Sequence, residues 1–183
     1  MPERRDEDAF VAFAQGARGR LRSTAYLLCG DWDRAADHVQ EALIRVYVAW
    51  PRLTKAGREY GYARKALVSV VLDHARRRSS TEVVADVDAS IGAGYSVDSG
   101  YDLAEQVTAR AALLAVLADL PPRQRACVVL RYFEDLSVAD AARALGCSEG
   151  TVKSQTARAL DRLRSVFEDS PLGELTVGGG TSW

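Results

Sequence analysis

SVADAARALGCSEGTVKSQTARALDRLR, residues 137–164, decides the fold of the C-terminal half of this chain. Ser137 followed by Asp140 has the form of a capping box, with Asp in place of the usual Glu or Gln, so a helix starts there. Leu145 and Gly146 end that short helix, and Ser148 can cap the next by accepting from the amide near Thr151. Two helices joined by so tight a turn form the unit in which a second helix enters the major groove and reads bases with its N-terminal residues. Val152 and Leu160 point inward on that helix, which leaves Glu149, Thr151, Lys153, Ser154, Gln155 and Arg158 for solvent or DNA. Gly150 costs a helix about 1 kcal/mol relative to Ala, which makes sense where another backbone must come close. Gln pairs with adenine, Lys and Arg with guanine or phosphate, and Glu with the cytosine amino group. The same spacing also serves helical interaction modules, in which the polar face is simply solvated.

Outward from this unit the pattern stays helical. PRQRACVVLRYFEDL places Ala126, Val129, Leu130 and Phe133 at core spacing, and AEQVTARAALLAVLADL before it is an amphipathic helix stopped by Pro121 and Pro122. In the N-terminal half, Phe10, Phe13, Ala17, Leu21, Ala25 and Leu28 form one stripe, and Gly30 suits a stop. Asp31 or Asp33 can cap the next helix, whose Ala36, Val39, Leu43, Val46 and Trp50 form a face and which Pro51 closes. A third helix starts near Glu59 and runs through YGYARKALVSVVLDHARRR. No segment alternates with period two, so the fold class is all-α.

Charge divides the chain more sharply than composition. The formal net charge is only -1, yet residues 1–78 hold 15 Lys and Arg against 10 Asp and Glu, residues 79–103 hold none against 5, and residues 104–168 hold 9 against 8. Residues 79–103, rich in Ser, Gly and acids, read as a flexible acidic linker between two small helical domains, 1–78 and 104–168. Residues 169–183, with Pro171 and a Gly triplet, read as a flexible tail.

Several function classes fall away. The longest apolar runs, such as ALVSVVL at 66–72, are far short of the roughly 20 residues a membrane span needs, and the charged N-terminus is no signal peptide. A cytoplasmic protein without membrane insertion is expected. Cys29, Cys127 and Cys147 are isolated and only His38 and His74 could join them, so buried free thiols are expected rather than a metal site. There is no phosphate-cradling Gly loop, HExxH or nucleophile motif, and His74 beside Asp73 reads as a surface pair, so neither an enzyme nor a cofactor is expected.

LPPRQRACVVLRYFEDLSVADAARALGCSEGTVKSQTARALDRLR resembles the domain of bacterial sigma factors that reads the promoter -35 element, and ADHVQEALIRVYVAW resembles their polymerase-binding helix. Their order and the short linker resemble the extracytoplasmic-function (ECF) group, and Gln155 and Thr156 resemble its SigE-like actinobacterial branch. The resemblance covers residues 6–78 and 104–167. It implies that Asp37, Val39, Gln40, Glu41 and Arg45 grip the coiled coil of the large polymerase subunit, with the flap as a further polymerase contact. It further implies that the loop PRLTKAGRE and the following helix engage the -10 element. There Lys55, Arg58, Arg64, Lys65, Arg76, Arg77 and Arg78 offer phosphate contacts and Tyr60 and Tyr62 offer stacking surfaces. Tyr62 stands where the group often has Trp. Arg143 joins Glu149 to Arg158, Gly150 included, at the -35 element. With a net charge of only about +1, the C-terminal domain would bind duplex weakly alone, and most of the field would come from polymerase. In the family the linker enters the RNA channel, which the carboxylates of 79–103 would suit. An anti-sigma protein is a family expectation that no motif here carries. The alternative is a stand-alone LuxR-type regulator, which usually brings a domain with strands; a helical adaptor that binds only protein would have no use for Arg76 to Arg78.

Overall fold

A computed structural model describes residues 4–53, 58–81 and 113–168, and all of its elements are helical. Helix α1 spans Arg4–Cys29, α2 spans Trp32–Leu53 and α3 spans Glu59–Thr81. In the C-terminal half come α4 at 113–118, α5 at Pro122–Val128, a π-helical turn at Val129–Phe133, α6 at Val138–Leu145 and α7 at Glu149–Glu168.

The stops and caps lie where the chain chemistry puts them. Gly30 takes a positive φ of 74°, and its amide donates to the Tyr26 carbonyl at 2.7 Å. Asp31, not Asp33, caps α2: its Oδ1 accepts from the Arg34 amide at 2.8 Å. Ser137 Oγ accepts from the Asp140 amide at 3.0 Å and donates to that carboxylate at 2.6 Å, completing the box with Asp. Gly146 closes α6 in the left-handed region, and Ser148 Oγ accepts from the Thr151 amide at 3.1 Å. Pro51 does not close α2, because Arg52 and Leu53 complete the turn and Leu53 packs against the core. Helix α3 runs to Thr81, so the stretch anticipated as linker from residue 79 starts inside a helix. The remainder of that stretch, residues 104–112 and the 169–183 tail lie outside the described residues.

Helices α1, α2 and α3 pack pairwise around Leu21, Ala25, Val39, Val46, Leu67 and Val68. Phe10 and Phe13 close one end by edge and tilted contacts on Trp50, with centroids 5.4 and 5.2 Å away. The same core continues without a break into Cys127, Val129, Leu130, Ala141 and Val152 of the C-terminal half. A smaller cluster of Leu117, Leu120, Val128 and Ala159 fixes α4 and α5 on α7. The two halves are therefore packed on one another, an arrangement no local pattern in either half announces.

One expectation fails for a clear reason. Phe133, at core spacing for an α-helix, is 48% exposed. The backbone widens at that point: the Glu134 amide donates to the carbonyl of Val129, five residues back, at 3.0 Å. The extra residue in the turn rotates the following side chains, so Phe133 swings out and Glu134 swings in. Burial holds Cys29 and Cys127 as thiols, each pushed up to about 11, in keeping with structural rather than reactive cysteines.

Leu130 is fully buried in the shared core. Leu130→Ala should cost about 3 kcal/mol, a typical cost for an unfilled leucine site. In urea unfolding, the loss should appear in far-UV circular dichroism and in tryptophan fluorescence at the same midpoint. Two separated transitions would mean that the halves unfold independently.

Candidate nucleic-acid interface

Helix α7 begins at a capped turn and presents a polar row. Arg143, Glu149, Gly150, Lys153, Ser154 and Arg158 are exposed, while Thr151 and Gln155 are half-buried. Val152 and Ala159 turn fully inward, and Leu160 is half-buried. Arg143 pairs with Asp140 across one turn of α6, which holds that carboxyl below its usual range together with the stronger Ser137 hydrogen bond. A side chain added at Gly150 would meet nothing nearer than Ser148 Oγ at 3.8 Å. Packing within the protein thus places no demand for glycine there, and a close external backbone would. Thr151 and Gln155 line a small cleft that Leu72 of α3 also walls, so the C-terminal half turns part of its polar row toward α3.

Helix α3 carries the basic and aromatic residues. Arg58, Tyr62, Lys65, Arg76, Arg77 and Arg78 are exposed; Lys55 lies outside the described residues. Arg76 reaches Asp73 at 3.2 Å, a surface pair of small energetic weight. Tyr60 and Arg64 differ from the rest, since both turn to Glu134 of the other half. Tyr60 Oη donates to Glu134 Oε1 at 3.4 Å and Arg64 Nη1 to Oε2 at 3.3 Å. Arg20 Nη2 and Thr24 Oγ1 of α1 complete the shell at 3.0 and 2.6 Å. The guanidinium groups of Arg20 and Arg64 also lie 5.0 and 5.7 Å from the centre of the Tyr60 ring. Burial, and then the Glu134 charge, push the Tyr60 phenol up to about 12, so it stays a neutral donor.

Helix α2 divides into two faces. Asp37 and Gln40 are exposed, with Glu41 and Arg45 joined at 2.7 Å beside them. Val39 is 2% exposed and belongs to the core, so it supports this helix from behind instead of presenting itself to a partner. Between the polar residues stand Ile44, 59% exposed, and Val48, 77% exposed. These two apolar side chains, one turn apart and off the buried stripe, complete a face that reading for the core alone passes over. Glu41 Oε2 also meets His74 Nε2 at 3.0 Å, tying α2 to α3, and the His74 ring lies 4.7 Å from that of buried His38.

Arg20, Thr24 and Glu134 were not singled out by sequence reading. Arg20 offered only its place off the α1 stripe as a signal. Glu134 offered none, because its inward turn depends on the π-helical backbone. Among the described residues no group of His, Cys, Asp and Glu is placed to hold a metal, and no helix is long and apolar enough to cross a membrane.

Comparison with known proteins matches residues 14–81 to the family model Sigma-70 region 2 and residues 110–163 to Sigma-70, region 4. The chain is 34% identical over 165 residues to the RNA polymerase sigma-E factor of Streptomyces avermitilis, covering 89% of this chain and 87% of the relative. It is 31% identical to the ECF RNA polymerase sigma factor SigM of Mycobacterium tuberculosis, covering 94% and 82%. In fold it is similar to a chain of the co-crystal structure of the sigma factor RpoE with the anti-sigma factor NepR from Bartonella quintana. That likeness has a TM-score of 0.60 at 23% identity and covers 87% of this chain and 98% of the other.

His38, at the α2–α3 contact, makes stability depend on pH. Burial first, and then the charge of His74, pull His38 below its ordinary 6.5, while Glu41, Asp37 and Asp31 pull more weakly the other way. The unfolded chain therefore takes up a proton near pH 6.5 that the folded chain resists, and stability falls as pH drops through that value. Glu41 is held below 4.5, chiefly by His74, so its contribution is kept until the solution is more acidic than that. The urea midpoint should be lower at about pH 5.5 than at about pH 7.5. His38→Gln should flatten that difference; an equal slope in the variant would place the titration elsewhere.

Proposed function

The chain belongs to the RNA polymerase sigma factors, and on that premise we propose that it docks on core polymerase through α2, helps open the -10 element with α3 and reads the -35 element with α7. The observation that carries this reading is the presence of both sigma regions, in order, in one chain. The exposed row from Glu149 to Arg158 supports the role of α7, since its donors and acceptors suit base edges and phosphates together. The exposed Arg58 just before α3 and Tyr62, Lys65 and Arg76 on it support contact with a melted strand, where cationic side chains track phosphates and rings stack on bases. Asp37, Gln40, Glu41 and Arg45 around Ile44 and Val48 support docking on the coiled coil of the large subunit, because a few apolar anchors ringed by polar groups make an effective interface.

In this role the chain performs no catalysis of its own, and the polymerase supplies the nucleotidyl chemistry. It works in the cytoplasm, beside polymerase and chromosome. An anti-sigma protein is a further partner, supported by the complex in which the Bartonella quintana neighbour was solved. An apolar groove of about 510 Å³ between the halves, walled by Tyr26, Leu27, Trp32, Leu113, Tyr132 and Phe133, would give such a partner its apolar contact.

Run-off transcription with purified core polymerase on promoter fragments of the source genome tests the reading. Specific transcripts should appear only when the protein is added. Lys153→Ala and Arg158→Ala should each lower transcription from the cognate promoter by about tenfold, the cost of one lost base or phosphate contact of 1–3 kcal/mol. Asp37→Ala, Gln40→Ala and Ile44→Glu should weaken polymerase binding, the last most. A shifted duplex without polymerase, and no transcript with it, would favour a stand-alone regulator.

A further inference from the structure

Building on that reading, we propose that Arg20, Thr24, Tyr60 and Arg64 form a phosphate site for single-stranded promoter DNA, which the Glu134 carboxylate fills from within while the two halves are closed on each other. Four donors from α1 and α3 converge on this one carboxylate, at 2.6 to 3.4 Å, and its side chain has no exposed surface. None of the four comes from the half that carries Glu134. The N-terminal half thus holds a ready-made anion site, and the C-terminal half supplies its occupant.

The site is over-equipped for a carboxylate. Two guanidinium groups share this one buried carboxylate, with Asp140 of the same half adding a weaker pull on Arg64, and Arg64 Nε is buried without a hydrogen-bond partner. A phosphate has more acceptor oxygens, and arginine forks suit it as well as they suit a carboxylate. Arg20, with more than half of its side chain exposed, stands at the open side of the site. Once Glu134 leaves, two positive charges and the Tyr60 hydroxyl donor remain around the space, together with the Thr24 hydroxyl, which also has the Arg20 carbonyl at 3.0 Å as an acceptor. The Tyr60 ring beside them offers a stacking face, so phosphate and base of one strand can be held together.

Closure and strand binding at this site are then mutually exclusive. The chain in isolation keeps part of its -10 surface covered, and separation of the halves uncovers it. Charge at position 134 sets that balance.

The test uses the full chain without polymerase. A fluorescent single-stranded DNA of about 12 nucleotides is titrated by anisotropy, and small-angle scattering follows the separation of the halves. Glu134→Lys should repel Arg20 and Arg64, raise the radius of gyration with helicity retained, and tighten binding at least about tenfold, with a steeper salt dependence. Glu134→Gln should move both readouts the same way by less. Adding Arg20→Ala to Glu134→Lys should remove most of the gain and reduce the logarithmic salt slope by about 0.7, the value for one phosphate of a single strand. An opened Glu134→Lys chain with unchanged affinity would overturn the proposal, as would a gain that survives Arg20→Ala or a Glu134→Lys chain that stays closed. Run-off transcription by the wild-type chain separates the two readings. Transcripts without the affinity gain leave the sigma factor role standing and remove this site; an Arg20-dependent gain without transcripts does the reverse.

Discussion

A carboxylate with no exposed surface has to be surrounded by donors, and the joining of the two halves follows from how Glu134 meets that demand. Taking such a charge out of water costs several kcal/mol, and stripping away one partner of a buried pair costs about 3–5 kcal/mol. Here the compensation comes from α1 and α3 together, so the C-terminal half can be positioned only where both helices reach Glu134. Arg125 fixes a second point. It donates to the Leu28 carbonyl at 3.0 Å and the Leu120 carbonyl at 3.2 Å, placing its positive charge at the electronegative end of α1. Between these two polar fixings lies the continuous apolar core, which supplies most of the stability and little of the direction.

Most of this architecture can be read from the chain. The stripe from Phe10 to Leu28, the stop at Gly30, the Ser137–Asp140 box and the Gly146 and Ser148 turn each depend on contacts within one or two helical turns, which sequence spacing reports directly. The exposed row on α7 follows from the same periodicity. Three features were hidden. The inward turn of Glu134 and the outward turn of Phe133 arise from a backbone ring of unusual width, and the residues VLRYF carry no local mark of it. The packing of the halves rests on contacts of α1 and α3 with α5, α6 and the π-turn, which are distant in sequence and which no spacing reports. Ile44 and Val48 were in plain view, yet a search for what a helix buries does not notice what it leaves out. The burial of Val39 shows the converse: a residue within the segment proposed to dock on polymerase can serve as its foundation.

The near-zero net charge also has a place in this arrangement. Positive charge is concentrated on α3, the C-terminal half is nearly balanced, and the acidic residues of 79–103 offset the surplus. A protein built in this way has a weak long-range attraction for duplex, because non-specific affinity rises with the number of phosphates neutralised. Selectivity can then rest on the combined surface of chain and polymerase instead of on the chain's own field. Pairing of Arg20 and Arg64 with Glu134 goes further in the same direction, since two cations facing an internal anion add little to the potential outside.

The π-helical turn gives this chain an unusual tolerance of a change in length. Along an ordinary helix, loss of one residue rotates everything beyond it by a fixed angle, and the damage spreads to the next loop. At Val129–Phe133 the backbone already holds one residue more than an α-helical turn requires, so a single deletion there could be absorbed locally by restoring the regular ring. With one of residues 131–133 removed, the helix would survive and keep its phase, since Glu134 would then stand three residues after Leu130, the spacing at which a regular helix returns to the same face. A chain one codon shorter at this turn would therefore keep the same carboxylate at the joint between its halves.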